Sequence, residues 1–276
     1  MCCFSQPVLS VSKTRIFARR DGKRQFLVYS MNLQAASELA MILPLPVPAG
    51  SPEDALRFIN LEHYSAFFSD MDRLFQLPMV RTQARFLAPA AAAGLRPQLE
   101  VHSVGKFEAS FVPTLRDFER LDPRFQIPVA TWDRLPQYRD WGFAVFKLKQ
   151  IPSTHSTTVH PMAFNFPLRD QRELFFPTIH IHDGQVHPVV SFDHELFLQV
   201  DELPSGADLP GYIPGRVSPT PIEHFLRIAM ERARLPVEKE MDLRRAAGTL
   251  DPQLPLFRYR AGGYLRNQDA RFFLSK

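Results

Sequence analysis

Apolar and polar residues alternate over much of the first fifty positions. The stretch VLSVSKTRIFARRDGKRQFLVYSMNL alternates on both sides of Asp21-Gly22, a dipeptide that suits the positive φ angles of a two-residue type I′ turn. The pattern therefore predicts a β-hairpin formed by residues 8–19 and 23–32. A further buried strand is predicted in AMILPLPVPAG, and its prolines end the strand because proline has no backbone N–H to donate.

Three segments carry apolar residues at helical spacing behind a capping signal. Ser51 precedes Pro52, and serine at the N-cap followed by proline at the first helical position is a typical helix start. Thr114 with Asp117 three residues later matches a capping box, and Thr220 precedes the last apolar run at the N-cap position. These signals predict helices over residues 52–76, 114–121 and 220–235.

The middle of the chain returns to the two-residue period that is typical of strands. We predict strands over residues 140–150, 157–166, 174–182, 185–192 and 194–200, joined in sequence order as an antiparallel meander. With the three helices, they predict an α+β fold, a largely antiparallel β-sheet with a few covering helices. We expect one domain over residues 1–276, with an internal linker in the small-residue run 88–97.

Composition and charge narrow the classes of function. The chain has 276 residues, 45% of them hydrophobic and 22% charged, as in ordinary globular proteins. The net charge of +4 is scattered except for a basic run at the tip of the first hairpin, so nucleic-acid binding is not expected. No apolar stretch is long enough to span a membrane, and no secretory leader opens the chain. We therefore expect a soluble, cytoplasmic protein.

Four of the nine histidines lie within FPTIHIHDGQVHPVVSFDHELF. Asp183-Gly184 predicts a second two-residue turn, and its register places His180 opposite His187. Because side chains alternate along a strand, His180, His182 and His187 share one face of this predicted hairpin. Three imidazoles are thus expected to converge.

Three imidazoles on one sheet face are a suitable ligand set for a divalent transition metal. Opposed Cβ atoms about 5 Å apart allow three ring nitrogens to reach one ion. Zinc is the leading expectation, with copper or iron as alternatives, and an open position would bind water or substrate. The sequence thus predicts a metal-binding protein or metalloenzyme. Additional ligands or supporting groups are expected among His194, Asp183, Asp193, His160 and Cys3.

The same pattern admits another interpretation. One face of an antiparallel sheet often meets water, so the three histidines also fit a polar surface that binds no ion. The chain is then a metal-free interaction or structural module. Its aromatic and arginine-rich surface would bind a protein partner. An unknown small molecule remains the alternative partner.

The two cysteines, Cys2 and Cys3, are adjacent near the start of the chain. Neighbouring cysteines close a strained ring, so a structural disulfide between them is not expected. If Met1 is removed, Cys2 carries a free α-amine beside its thiol, which is the arrangement of N-terminal-nucleophile hydrolases. A Cys2-dependent hydrolase is therefore the third hypothesis.

Two composite motifs stand out. The first is MCCFSQP…TRIFARRDGKRQFLVYSMNL…AMILPLPVP, with an N-terminal cysteine and a Pro-x-Pro strand end, and the second is WGFAVFKLK…HPMAFNFPLRDQRELFFPTI. In these motifs, which cover about half of the chain, the sequence resembles an uncharacterised bacterial domain family of unknown function. Members of that family are commonly exported, whereas this chain lacks a signal peptide and adds the His-x-His-Asp-Gly segment. The resemblance implies no established activity or cofactor.

Overall fold

The computed structural model describes residues 3–76, 102–104, 107–148, 157–158, 160–211 and 221–275. Its strands are β1 (Cys3–Phe4), β2 (Ser10–Asp21), β3 (Arg24–Gln34), β4 (Leu39–Leu45), β5 (Arg57–Asn60), β6 (His102–Val104), β7 (Phe107–Val112), β8 (Gly142–Leu148), β9 (Thr157–Thr158), β10 (Met162–Pro167), β11 (Glu173–Phe176), β12 (Val189–Gln199), β13 (Gly206–Asp208), β14 (Met230–Arg232), β15 (Leu256–Arg266) and β16 (Ala270–Phe273). The α-helices are α1 (Phe67–Arg73), α2 (Val129–Asp133) and α3 (Ile222–Ala229). Short 3₁₀ helices lie at Glu62–Tyr64, Leu115–Arg120, Pro123–Phe125, Pro136–Tyr138 and Val237–Lys239.

The described strands form three sheets. A five-stranded sheet has the order β1-β4-β8-β7-β6, and a three-stranded sheet has the order β11-β16-β13. The large sheet has the order β14-β15-β12-β2-β3-β10-β5, with β9 beside β3. Strands β12 and β2 run parallel, whereas β12 and β15 run antiparallel along their whole length.

The large sheet separates two apolar cores because its side chains alternate between its faces. In β2, Ile16 and Ala18 belong to the main core, which also contains the five-stranded sheet, whereas Phe17 belongs to a second core. Strand β12 repeats the alternation, with Leu196 in the main core and Phe197 in the second. The second core is completed by α1 and by the segment that precedes β15.

Aromatic rings fill the space between the two larger sheets. Phe146 of β8 and Phe164 of β10 lie with ring centroids 5.9 Å apart, and Phe58 of β5 meets Phe146 edge-on at 5.6 Å. Such aromatic pairs stabilise a fold by about 1 kcal/mol beyond the burial of their area. The phenylalanine-rich sequence is therefore used mainly to pack one sheet against the other.

The first predicted hairpin is confirmed. Its strands, Ser10–Asp21 and Arg24–Gln34, pair antiparallel. The loop consists of Gly22 and Lys23, one position later than predicted, because Gly22 adopts the positive φ of 54° while Asp21 still pairs within the strand. The strand predicted in AMILPLPVPAG is β4, and all of its residues are buried.

The predicted α+β class is wrong, because the protein is mostly β. Strands account for 41% of the structure and helices for 17%. The longest α-helix in the described ranges, α3, has eight residues. No helix in the described ranges is long and apolar enough to cross a membrane.

The helix predicted over 52–76 is replaced by a turn, a strand and two short helices. Residues 57–60 form β5 on the outer edge of β10, where Phe58 packs in the main core and Ile59 against the second. Because these neighbouring side chains pack on opposite faces of the sheet, the segment must be a strand. Pairing with β10 therefore prevails over the helical spacing of the apolar residues. Only Phe67–Arg73 is α-helical.

The other two predicted helices are shortened. Thr114 Oγ1 bonds Asp117 Oδ2 at 2.7 Å instead of capping a backbone N–H, and the turn that follows is a 3₁₀ helix. The helix predicted over 220–235 ends at Ala229, because Met230–Arg232 pair with β15 as strand β14. Long-range backbone pairing again prevails over local apolar spacing.

The predicted meander is also absent from the described strands. Strand β10 lies between β3 and β5, and the strands predicted over 185–192 and 194–200 are one continuous strand, β12. The C-terminal residues, for which the sequence predicted no element, supply β15 and β16. The linker predicted over 88–97 lies outside the described residues.

Candidate functional site

The hairpin predicted around the histidines does not form. Asp183 Oδ1 does accept the N–H of Gln185 at 2.9 Å, and Gly184 has a φ of +77°, so a tight turn exists. Its flanks diverge, however, because β11 pairs with β16 whereas β12 pairs with β2 and β15. Pro177 and Pro188, which lack a backbone N–H, stand at the two ends of the segment.

Side chains from the β15–β16 turn hold this segment in place. The buried Asp269 accepts, through Oδ1, the N–H groups of Thr178 at 2.9 Å and Ile179 at 3.1 Å. Asn267 accepts the N–H of His180 at 2.7 Å and donates to its carbonyl at 2.9 Å. Side-chain amide and carboxylate groups thus replace the hydrogen bonds of a strand partner.

The N-terminal strand β1 runs along the other edge of the segment. Phe4 N–H donates to the carbonyl of Ile181 at 3.0 Å, and Val8 N–H donates to the carbonyl of His182 at 3.1 Å. Cys3 forms a parallel bridge with Ile181 and is fully buried. The beginning of the described chain is therefore fixed beside two of the predicted metal ligands.

The buried His180 and His194 and the partly buried His182 form a column of stacked rings. His180 lies in the middle, with centroid distances of 5.2 Å to both His182 and His194 and interplanar angles of 11° and 19°. Phe192 packs on His180 at 4.4 Å, and Phe4 packs on His182 at 5.6 Å. The structure thus joins His194, which the sequence named as an additional ligand, to two of the three principal ones.

Burial keeps the column uncharged. Desolvation lowers the pKa of His182 to about 4 and holds the pKa values of His180 and His194 well below the usual range. All three rings are therefore neutral at pH 7. The Nε2 atoms of His180 and His182 are buried without a hydrogen-bond partner in the described part of the chain.

His187 lies apart from the column. Its ring is about half exposed, and its Nε2 pairs with Asp183 Oδ2 at 2.8 Å. This hydrogen bond lowers the pKa of the Asp183 carboxyl. The two residues thus stabilise the local turn.

The other predicted residues are dispersed. His160 packs on Phe107 with ring centroids 4.1 Å apart, and Asp193 accepts the N–H of Lys13 at 2.6 Å. Cys2 lies outside the described residues.

A three-ligand metal centre is not preformed. Among the described residues, no group of three His, Cys, Asp or Glu side chains is placed to hold an ion. The lone pair of an imidazole nitrogen lies in the ring plane, and the nearly parallel planes of His180, His182 and His194 keep their lone pairs from meeting at one point.

A second feature, which was not predicted from the sequence, is a two-stranded ribbon. Strands β12 and β15 pair from Val189↔Arg266 to Gln199↔Leu256, but β2 joins β12 only from His194 onward. We call residues 189–193 and 262–266 the ribbon. Within the described chain, each of its strands pairs with the other and with no third strand.

The two faces of the ribbon differ in chemistry. Val190, Phe192 and Leu265 pack against the main core on its inner face. On the outer face, Tyr264 is 83% exposed and Val189 is 53% exposed. The signal in the sequence was the tripeptide Gly262-Gly263-Tyr264, because its glycines leave an exposed aromatic ring beside bare backbone.

Of the comparisons with known proteins, the comparison with solved structures gives matches. No protein-family model matches the chain, and no curated protein matches it. Among solved structures, the chain is similar to baculovirus P35 at 12% identity, over 97% of each chain, with a TM-score of 0.44. It is also similar to P35 in a complex with caspase-8 at 10% identity, over 96% of this chain and 97% of that chain, with a TM-score of 0.43.

Proposed function

We propose that the protein is a binding module for another protein and that the partner docks on the ribbon. The observation that carries this proposal is the early end of the β2–β12 pairing at His194. Beyond that point, residues 189–193 present an edge that pairs with no other described strand. An extended segment of a partner is the structure that satisfies such an edge, by adding one strand to the sheet.

The outer face of the ribbon supplies contact area next to this edge. Tyr264 is a large, rigid side chain with a polar tip, and tyrosine is enriched among the residues that dominate binding energy. Val189 adds an apolar side chain on the same face, because Val189 and Ser191 face Arg266 and Tyr264 across the pair. We propose that the partner places an apolar side chain against Tyr264.

The ribbon is also a rigid platform. Its inner side chains are packed in the core, and Asn267 at its end donates from N–H to the Pro188 carbonyl at 3.0 Å. A partner strand would therefore bind a preformed surface, which reduces the entropic cost of association.

A photo-crosslinking experiment tests this function. p-Benzoylphenylalanine is placed at Tyr264 in one variant and at Ile228 in the other; Ile228 is 74% exposed on α3 and serves as the matched control. In extracts of the native source, we expect one discrete crosslinked protein from position 264 and none from position 228. Equal products from both positions, or none from either, would contradict docking on the ribbon.

A purified partner gives the quantitative test. Tyr264→Ala should weaken binding by about thirtyfold, the effect of losing a dominant interface side chain, whereas Ile228→Ala should leave the Kd unchanged. Caspase-8, which forms a complex with P35 in one of the similar solved structures, is one defined probe for this measurement. The proposed docking site rests on the geometry of the ribbon and not on the similarity to P35.

We propose metal binding as a second candidate function because two buried Nε2 atoms, on His180 and His182, lack a partner among the described residues. Imidazole nitrogens of this kind suit zinc, copper or iron. Since the rings stack, one of them must turn before both nitrogens reach one ion. His194 is the nearest third donor, and His187 is not part of this set.

A further inference from the structure

A cleft opens where β2 leaves β12, on the large sheet beside α1. It has a volume of about 450 Å³ and is lined by Lys13, Thr14, Arg15, Asn32, Asp72, Asp193 and Glu195. This size suits a small polar ligand. The cleft is separate from the histidine column.

The cleft is electrically polarised. Its β2 wall carries the donors Lys13 and Arg15, and its β12 wall carries the carboxylates of Asp193 and Glu195. A third carboxylate, Asp72 of α1, pairs with Arg15 at 3.2 Å. Neighbouring strands lie about 5 Å apart, so opposite charges face each other across one strand spacing. A ligand that complements the charges on the two walls must itself carry an anionic group and a cationic group close together.

Lys13 shows that the local backbone is strained. Its φ is +52°, and in the described ranges Lys13 and Ala247 are the two residues other than glycine with a positive φ. A side chain disfavours this conformation, which glycine adopts without penalty. Strain of this kind often marks a functional position. The conformation is fixed by the hydrogen bond from Lys13 N–H to Asp193 Oδ2 at 2.6 Å.

Two charges at the mouth of the cleft, those of Lys13 and Asp193, are not neutralised by other described residues. In the described structure, the Lys13 ammonium has no carboxylate partner, and the Asp193 carboxylate has no lysine or arginine partner. The Asp193 carboxylate lies 3.9 Å from His194 Nδ1, and burial keeps that imidazole neutral. By contrast, Glu195 pairs with Arg260 at 2.9 Å and Arg15 pairs with Asp72 at 3.2 Å.

One more polar atom beside the cleft lacks a partner. Arg15 Nε is buried without an acceptor in the described part of the chain, while Arg15 Nη1 pairs with Asp72. A buried polar group left unsatisfied costs about 1–3 kcal/mol, so a ligand that brings an acceptor to Arg15 is favoured.

We propose that the cleft binds a free α-amino acid. Its carboxylate lies toward the β2 wall, where Lys13 and Arg15 supply donors, and its ammonium lies toward Asp193 on the β12 wall. The α-amino acid fits because its two charges are separated by a single carbon atom. The proposal does not rest on partner docking, although Asp193 belongs to both the cleft and the ribbon.

Calorimetric titration of the full chain with each standard amino acid tests this site. We expect saturable binding of at least one of them. The N-acetyl derivative and the carboxamide derivative of that amino acid, each lacking one charge, should bind about tenfold more weakly. Absence of binding by every amino acid, or equal binding by the derivatives, overturns the proposal.

Two variants tie the binding to the cleft. Lys13→Gly keeps the positive φ and should leave the thermal midpoint unchanged or higher, while amino-acid binding falls about tenfold. Asp193→Asn keeps an oxygen acceptor for Lys13 N–H but removes the charge, and binding should fall similarly. Ala247→Gly relieves strain outside the cleft and should not change binding. Unaltered affinity in both cleft variants overturns the assignment.

Discussion

His180 stacks on His194 with ring centroids 5.2 Å apart and planes inclined by 19°. One ring belongs to a segment held by side chains and the other to a strand of the large sheet, so the stack fixes that segment to the sheet. Together with His182, these rings bury three groups that titrate near neutrality when they are exposed to water.

This stack predicts acid lability. Because the folded pKa values of the three histidines lie below the unfolded value, the unfolded chain binds more protons below about pH 6.5. Stability is therefore fully present above pH 6.5 and is lost as pH falls, by about 2 kcal/mol per histidine at pH 5. Urea unfolding across this range, in the presence of a chelator, measures the slope.

Two variants test whether the histidine column causes this pH dependence of stability. His182→Phe should make the free energy of unfolding less dependent on pH, because a phenyl ring packs there without titrating. The half-exposed His187 lies outside the column and provides the control, and His187→Phe should change the slope less than His182→Phe does. An unchanged slope in His182→Phe contradicts the assignment.

Asp269 is predicted to be a major stabilising residue. It is buried, it accepts Tyr138 Oη–H at 2.6 Å, and it holds the N–H groups of Thr178 and Ile179. Asp269→Ala leaves these donors unsatisfied and should lower the free energy of unfolding by about 3 kcal/mol. Asp208→Ala, which removes a single exposed hydrogen bond to Gln268, should change it by less than about 1 kcal/mol. Similar losses in the two variants would argue against this role.

Gly142 is predicted to tolerate no side chain. A Cβ at this position would lie 2.6 Å from the Phe111 ring and 2.9 Å from Val47. Gly142→Ala should therefore destabilise the fold by about 1–3 kcal/mol through overpacking. Gly262→Ala is the control, because the nearest atom to its Cβ is the Phe192 carbonyl oxygen at 3.9 Å. Thermal melts of the two variants compare these environments directly.

The metal hypothesis predicts a stoichiometric ion in purified protein. Elemental analysis should find zinc, copper or iron, and His180→Ala should abolish it, because this ring lies at the centre of the column. His187→Ala should retain the ion. Loss of metal in both variants would restore His187 as a ligand, and substoichiometric metal unchanged by either variant would contradict the site.

The Cys2 hypothesis predicts a processed N-terminus. Intact-mass measurement should show loss of Met1, and a reagent selective for an N-terminal cysteine should add to the native protein once. Cys3 is buried in β1 and should stay unmodified until the chain is denatured. A retained Met1 removes the free amine that this chemistry requires.

The sequence by itself determined the elements whose signals are local. The alternation around Gly22 predicts the β2–β3 hairpin with its turn off by one position and its strand bounds within two residues, and the apolar run that becomes β4 is buried as expected. In both cases, the side-chain period and the turn residue specify the structure without reference to distant segments. The sequence also placed His180 and His182 on one side of their segment, and in the structure their rings stack with centroids 5.2 Å apart.

Only the tertiary structure decided the remainder. Strand β14 replaces the end of a predicted helix because β15 offers backbone partners, and His194 replaces His187 in the column because β12 runs beside β2. The ribbon and the cleft at Lys13 exist because β2 and β12 part at one point. The helix propensity of a residue contributes fractions of a kcal/mol. Pairing with a distant strand satisfies the hydrogen bonds of a whole row of backbone N–H and C=O groups. Which distant strand provides those partners is not encoded in any single segment.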